Sequence, residues 1–303
     1  MKKKFDFIIV GGGTAGIILA YRLLEKTNYS VLLIEKGEEK NHPYLKVPLA
    51  VGKILTNENY IWPYYTDQEP HINNRRIYSP MGKVLGGSSV INGTVFARGP
   101  REKYNEWKDI GSIGYGFNSL EKYFRLIEKF STDVEGRGSN GLLNVSLASC
   151  EDKLSKLFMN SCQSFGYQRI NDYNINEDEG FSQLQYSTKN GFRQSVANTY
   201  FKKIKHNKNL VVLSKSTVNK LLINGNKVIG CCVNNKSNLD EKFYANCEVI
   251  LSAGAIQTPA ILQRSGVGNP INLRKIGIPC LVNLPNVGIG LKDHANVRLS
   301  YTT

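Results

Sequence analysis

Three glycines near the amino terminus have the spacing of a turn that binds phosphate. Gly11, Gly13 and Gly16 form a G-x-G-x-x-G pattern. An apolar run of strand length at residues 5–10 precedes them, and residues 15–25 follow with the apolar spacing of a helix. The first glycine allows a tight turn, the second lets backbone N–H groups approach a pyrophosphate at the helix amino terminus, and the third lets helix and strand pack closely. The pattern predicts dinucleotide binding, and a purely structural glycine turn is the alternative.

A carboxylate further along the chain supports the dinucleotide interpretation. Glu35 ends a second apolar run at residues 30–35, where its side chain can accept hydrogen bonds from the ribose hydroxyls of an adenosine. The order strand, helix, strand within about 30 residues predicts a βαβ unit with parallel strands and a right-handed crossover. The same carboxylate would repel a 2′-phosphate. The motif alone does not distinguish NAD from FAD.

A second glycine-rich stretch, residues 82–100, decides between NAD and FAD as the predicted cofactor. Its backbone amides and hydroxyls could reach a second face of a cofactor. The stretch contains the adjacent glycines Gly86 and Gly87, two serines and Asn92, and an ordinary surface loop is the alternative. The stretch resembles the first signature of the glucose-methanol-choline (GMC) family of FAD-dependent oxidoreductases, and the match continues through Asn105. An NAD-dependent dehydrogenase would leave this stretch unexplained.

The resemblance to the GMC family extends over essentially the whole chain. Further segments that are similar to its motifs, in the family's order, are residues 191–200, 209–213 with Val218, 254–268 and 286–294. The resemblance implies an α/β fold: a Rossmann-like FAD-binding domain with the start of an α+β substrate domain, incomplete at its carboxyl end. It implies that residues 1–140 and 206–303 form the FAD-binding domain without its last strand. Residues 141–205 would begin the substrate domain.

The resemblance also implies which residues contact FAD. Those that would hold the ADP part are Gly11, Gly13, Gly16 and Glu35. Those that would lie along the pyrophosphate and near the isoalloxazine ring are Gly86, Gly87, Asn92 and Gly93. Val218 would contact adenine through its backbone. Ile91 stands where some members attach FAD covalently through a histidine, so noncovalent FAD is implied. Met81 and Gly290 also depart from the family pattern, which usually has arginine and asparagine there.

The activity implied by the resemblance is hydride transfer from an alcohol carbon to the flavin, with a base taking the hydroxyl proton. The family's base is a histidine in its C-terminal part, which we expect this chain to lack, so no catalytic residue is assigned. A small alcohol is the expected substrate, and a second polypeptide supplying the C-terminal half would complete the enzyme. The alternative is a noncatalytic FAD-binding remnant with a structural or interaction role. Four histidines are expected to be exposed polar residues: His42, His71, His206 and His294.

Composition fits a folded globular protein. The 303 residues are 41% hydrophobic, enough for a sizeable core. A net charge of +14 raises the alternative of nucleic-acid binding, but the basic residues are scattered, and a solvated basic surface is favoured. Six cysteines have neither disulfide-framework nor zinc-site spacing, so we expect a reducing compartment and no metal. We expect a cytoplasmic protein, because no signal peptide or 18-residue apolar stretch is evident.

Apolar periodicity predicts the remaining elements. A helix is expected at residues 119–130, followed by a glycine/serine-rich break at 135–141, and residues 41–79 are expected to be irregular surface. Further strands are expected at residues 142–145, 210–213, 218–223, 228–233 and 249–252. A hairpin turn at residues 224–226 would join two of these strands.

Overall fold

The protein divides into two compact units in a computed structural model. The model describes residues 3–175, 179–235 and 239–294. Unit 1 comprises Met1–Gly37 and Asn207–Thr303, and unit 2 comprises Glu38–His206. Unit 1 is therefore discontinuous in sequence, with unit 2 inserted into it. These packing units differ from the predicted functional domains, whose boundary at residues 140 and 141 stays a prediction.

The helices and strands are numbered here in chain order. The strands within the described residues are β1 (Lys4–Val10), β2 (Val31–Ile34), β3 (Ile61–Tyr65), β4 (Tyr78–Gly82), β5 (Glu128–Phe130), β6 (Leu143–Leu147), β7 (Gln185–Tyr186), β8 (Thr188–Lys189), β9 (Phe192–Arg193), β10 (Leu210–Leu213), β11 (Thr217–Asn224), β12 (Lys227–Asn234), β13 (Glu241–Leu251), β14 (Val267–Gly268) and β15 (Val282–Asn283). The α-helices there are α1 (Thr14–Lys26), α2 (Pro43–Lys46), α3 (Val51–Ile54), α4 (Arg101–Asp109), α5 (Phe117–Ile127), α6 (Lys153–Ser164), α7 (Lys202–Ile204), α8 (Gly254–Arg264) and α9 (Pro270–Lys275).

Unit 1 is built on a six-stranded sheet with the order β10-β2-β1-β13-β12-β11. Pairing is parallel from β10 to β13 and antiparallel from β13 to β11. The succession β1, α1, β2 is the predicted βαβ unit. Strand β2 is a continuous apolar run, because both of its faces are buried. Buried residues of the core include Phe5, Ile8, Leu32, Val218, Val233 and Phe243. The predicted strands of this unit are confirmed as β1, β2, β10, β11, β12 and the end of β13.

Strand β13 is longer than predicted and pairs with two neighbours in turn. Its first residues pair antiparallel with β12, where Glu241 lies opposite Val233. From Tyr244 to Leu251 it pairs in parallel with β1, with Tyr244 opposite Lys4. The sequence marked only the end of this strand, because polar and exposed residues interrupt its first half. The long strand joins the antiparallel part of the sheet to the parallel part.

In unit 2, the prediction of irregular surface at residues 41–79 is wrong in part. Helices α2 and α3 and the antiparallel hairpin β3–β4 lie there. The buried residues of an apolar cluster formed by these elements and the following loop are Leu45, Ile54, Ile61, Val84, Val90 and Ile91. Each element is only four or five residues long, which is too short for apolar periodicity to reveal it.

Four of the buried charged side chains in unit 2 are linked by hydrogen bonds and form a group called the ionic cluster: Arg98, Glu128, Arg137 and Asp172. Glu128 Oε1 accepts hydrogen bonds from Arg98 Nη2 at 2.6 Å and from Arg137 Nε at 2.9 Å. Arg137 Nη1 donates to Asp172 Oδ2 at 2.7 Å. Two positive charges therefore meet two negative charges, which makes their burial tolerable.

The ionic cluster explains why the helix predicted at residues 119–130 ends early. Helix α5 stops at Ile127, and residues 128–130 form β5, which pairs in parallel with β6. A strand lets the Glu128 side chain reach its buried partners. The predicted break at residues 135–141 is packed rather than free, because a Cβ on Gly138 would lie less than 3.0 Å from the backbone of Arg125.

Candidate functional site

The first glycine loop closes the carboxyl end of β1. Gly11 N donates to Ile34 O at 2.8 Å and Ser252 N donates to Val10 O at 2.8 Å, so the loop lies between the ends of β2 and β13. Gly11 has a φ of +106°, which favours glycine. A Cβ on Gly16 would lie less than 3.0 Å from Gly11 O. The strand, turn and helix therefore approach each other as closely as the glycine pattern predicts.

Helix α1 begins directly after this loop, and no side chain caps its amino terminus. Gly13 is the N-cap residue, and the first turn of the helix has no acidic residue. The first N–H groups of a helix have no partner within the helix. Together with the helix dipole, these donors provide a place for a phosphate group.

Glu35 lies at the end of β2, against the glycine loop. Its Oε2 accepts a hydrogen bond from Gly12 N at 2.8 Å, and its Oε1 accepts one from Gly37 N at 2.8 Å. The side chain is buried, and burial raises the pKa of the Glu35 carboxyl above its usual value, against the effect of the N–H donors of Gly37 and Gly12. Each oxygen keeps a lone pair for a second donor, such as a ribose hydroxyl.

Replacing Glu35 with alanine is expected to weaken FAD binding by about 1.5–3 kcal/mol, the range for hydrogen bonds to a charged group. The chain should remain folded. Titration calorimetry with FAD measures the change. Glu39→Ala, which removes an exposed carboxylate four positions away, is the matched control and should leave the affinity unchanged. An unaltered affinity of the Glu35 variant would mean that this carboxylate does not face the ribose.

Val218, the residue predicted to contact adenine, also lies in unit 1. It is buried in β11, and its carbonyl oxygen accepts a hydrogen bond from Arg264 Nη2 at 3.3 Å. Two residues earlier, Ser216 N donates to Glu35 O at 3.1 Å. The start of β11 is therefore joined to the end of β2 in this unit. The contact of Val218 with adenine stays a prediction.

The second glycine loop belongs to unit 2 and follows β4. Gly86 and Gly87 have φ values of +101° and +54°. A Cβ on Gly86 would lie 2.6 Å from Val90 Cγ2, so this position has no room for a side chain. Gly93 by contrast has open space around it, and both Asn92 and Gly93 are exposed. The tight half of the loop therefore leads to an open half, and the contacts predicted for these four residues stay predictions.

The structure adds Arg193, to which the sequence assigned no role. Its side chain is only 1% exposed. Nη1 donates to both Asn92 O and Asn92 Oδ1, each at 2.6 Å, and Nε donates to Leu45 O at 3.1 Å. Nη2 is buried without a hydrogen-bond partner among the described residues. The residue lies within the predicted segment 191–200, but its role depends on partners that are distant in sequence.

The four histidines are exposed as predicted, whereas noncovalent binding of FAD at Ile91 stays a prediction. Ile91 is buried in the apolar cluster of unit 2 and offers no nucleophile. The four histidines are all exposed: His42, His71, His206 and His294. His42 caps α2, since its Nδ1 accepts a hydrogen bond from Tyr44 N at 3.3 Å. His294 N donates to the side chain of Asp293 at 2.9 Å.

Comparison with known proteins identifies the family. The profile of the GMC oxidoreductase family matches residues 5–296. The chain belongs to this family. The predicted family and the α/β fold with a Rossmann-like FAD-binding domain are confirmed, and FAD is confirmed as the cofactor at the level of the family.

Among curated GMC relatives are two proteins named oxygen-dependent choline dehydrogenase. The one from Vibrio vulnificus (strain YJ016) is 35% identical over 304 residues, covering 99% of this chain and 54% of the relative. The one from Brucella anthropi is 36% identical over 293 residues, covering 96% and 53%. The chain thus spans about half the length of the curated relatives it matches.

Solved GMC-type structures are similar over the same extent. Pyridoxine 4-oxidase from Mesorbium loti has a TM-score of 0.87 and 31% identity, covering 93% of this chain and 55% of its own. An FAD-dependent oxidoreductase from Chaetomium thermophilum has a TM-score of 0.86 and 29% identity, covering 93% and 51%. The named activities of these relatives differ, so likeness alone does not select a substrate.

Two kinds of feature are absent from the described residues, a membrane-spanning helix and a metal-binding group. No helix in the described ranges is long and apolar enough to cross a membrane. Within those same ranges, no group of three or more histidine, cysteine, aspartate or glutamate side chains is arranged to hold a metal ion.

Proposed function

We propose that this chain is the FAD-binding part of an oxidoreductase that removes a hydride from the carbon of an alcohol. The observation that carries the proposal is the pair of glycine loops, one in each unit, on a chain of the GMC family. A Rossmann-type turn alone would serve NAD equally well. The second loop, with its tight Gly86 and its open Gly93, is the part that an NAD site does not need.

Each unit, taken by itself, has residues that fit part of FAD. In unit 1, the uncapped start of α1 offers N–H donors for a pyrophosphate, and Glu35 retains acceptor capacity for a ribose. In unit 2, the buried Nη2 of Arg193, which has no hydrogen-bond partner among the described residues, adds a donor on a guanidinium that contacts Asn92 of the second loop. When bound, FAD supplies the hydride acceptor. The protein's contribution in these residues is to bind and orient the cofactor.

The purified chain is expected to bind FAD in preference to NAD. Because the second loop has no task in an NAD site, the cofactor that copurifies or reconstitutes should show a flavin absorption spectrum, and chromatography of the released cofactor should identify FAD. Calorimetric titrations of FAD and NAD on the same preparation provide the comparison. A colourless, folded chain that binds NAD instead would refute the proposal.

The flavin is expected to be held without a covalent bond, because Ile91 occupies the attachment position. Acid or heat denaturation should therefore release it into the supernatant, where its absorbance can be measured after the polypeptide is removed. Free FAD mixed with denatured protein serves as the control for adsorption. Flavin that stays with the precipitated polypeptide would contradict a noncovalent site.

The alternative function is FAD binding without turnover, which is the expected result if none of the four exposed histidines acts as the base. Alcohol oxidation requires a positioned base to take the hydroxyl proton, a contribution of roughly 10²–10⁴-fold. Anaerobic mixing of the FAD-loaded chain with aliphatic, aromatic and choline-like alcohols tests this by flavin bleaching. We expect no bleaching. Rapid bleaching that is lost in a His294→Ala variant would assign the base to that histidine.

A further inference from the structure

Arg193 is a buried cation whose hydrogen-bond acceptors are all neutral. Its three hydrogen bonds go to two backbone carbonyl oxygens and one amide oxygen. Among the described residues, no carboxylate forms an ion pair with it, and its buried Nη2 has no partner. Burial lowers the pKa of Arg193 to about 10, which still leaves it charged at neutral pH. Burying a charge without a counter-ion is costly, so this arrangement calls for a functional explanation.

The cation determines how the Asn92 side chain is oriented. Asn92 Oδ1 accepts hydrogen bonds from Arg193 Nη1 at 2.6 Å and from Thr94 N at 3.1 Å. An asparagine in the reversed orientation would place its own N–H groups against these two donors, so the contacts fix the amide with oxygen inward. Nδ2 then points away from Arg193, and no acceptor among the described residues takes its hydrogens. Asn92 is exposed, so these N–H groups are available to a ligand.

We propose that Arg193 is a positioning residue of the flavin site, which holds the Asn92 amide so that Nδ2 donates a hydrogen bond to the flavin part of FAD. This inference rests on the proposed function. Arg193 also holds the Asn92 carbonyl and, through Leu45, ties the second glycine loop to α2. Leu45 belongs to the apolar cluster of unit 2, so the guanidinium connects the open end of the loop to a rigid base.

A double-mutant cycle tests whether Arg193 acts through Asn92. Arg193→Met removes the donors, Asn92→Ala removes the amide, and the combined variant removes both. Affinities for FAD and for ADP are measured by titration calorimetry, with ADP as the reference because it lacks the flavin. Each single variant is expected to weaken FAD binding about tenfold, the effect of one lost hydrogen bond. ADP binding should change less than about twofold. The combined variant should be no weaker than either single variant, because both changes remove the same contact.

Two further variants keep the test decisive. Arg193→Lys retains the charge but not the two-donor geometry, so it should behave like Arg193→Met, and it replaces that variant if the latter fails to fold. Lys189→Met removes an exposed cation from the same hairpin, β8–β9, and should leave both affinities unchanged.

The outcomes separate this inference from the proposed function. If the wild-type chain binds neither FAD nor ADP, the proposed function fails and the inference fails with it. If the wild-type chain binds FAD and the Arg193 and Asn92 variants bind it equally well, only the positioning role is overturned. Additive losses in the combined variant would likewise overturn it, since Arg193 would then act independently of Asn92.

Discussion

Replacing Glu128 with alanine is expected to lower the free energy of unfolding by about 3–5 kcal/mol, the cost of leaving buried charges without their partner. Glu128 is 0% exposed and accepts hydrogen bonds from Arg98, Arg137 and the backbone N–H of Gly138. Without its carboxylate, the ionic cluster carries two guanidinium groups and the single carboxylate of Asp172. Denaturant unfolding followed by circular dichroism measures the loss.

The control for this change is an exposed ion pair in the same unit. Glu106 pairs with Lys103 on α4, and both side chains are 58% exposed. Glu106→Ala should cost less than about 1 kcal/mol, because solvent screens the pair. A loss for Glu128→Ala as small as that for the control would show that the ionic cluster is not closed to water.

Replacing Gly16 with alanine is the second change with a large expected effect. The added Cβ would lie less than 3.0 Å from Gly11 O, and 2.7 Å from Ser252 Oγ. The nearest contact is backbone, so β1 and α1 must separate to relieve it. We expect a loss of about 3 kcal/mol in the free energy of unfolding, at the upper end for overpacking, and a weaker affinity for FAD.

Gly52 provides the matched glycine-to-alanine control. It lies in α3, and a Cβ there meets nothing within 4 Å. Alanine has the better helix propensity, so Gly52→Ala should leave stability unchanged or raise it by about 0.5–1 kcal/mol. Thermal unfolding of both variants, with and without FAD, measures the contrast. Equal melting temperatures would mean that the first glycine loop tolerates a side chain.

The sequence predicted those parts of the fold whose signals are local. Strand β2 is an uninterrupted apolar run, β1 is apolar apart from Lys4 and Asp6, and the glycines at 11, 13 and 16 stand at the junction of strand and helix. The close approach at Gly16 and the position of Glu35 against the loop follow from that order. The second glycine loop was also found from its residues, although its tight and open halves appear only in three dimensions.

The parts that were missed depend on contacts between distant residues. Arg98, Glu128 and Asp172 are buried, although charged residues are usually exposed. Their burial is tolerable only because charges of opposite sign pair in three dimensions, and no local sequence signal predicts that pairing. Two of the three acceptors of Arg193 are backbone carbonyl oxygens, which every residue possesses, and the third is the amide oxygen of Asn92, 101 positions away in sequence. No local pattern therefore marks these partners. The apolar cluster of unit 2 combines elements within residues 41–82, each too short to show a period, with the loop that follows β4.

The discontinuity of unit 1 has a consequence for synthesis on the ribosome. Residues 38–206 emerge as one continuous stretch and can complete unit 2 while unit 1 has only β1, α1 and β2. The apolar β1 stays without one of its sheet neighbours until β13 is made, since Lys4 pairs with Tyr244. Pairing over such a separation is slow to form and leaves apolar surface exposed in the nascent chain. A slower rate of translation would lengthen the interval in which β1 lacks this neighbour.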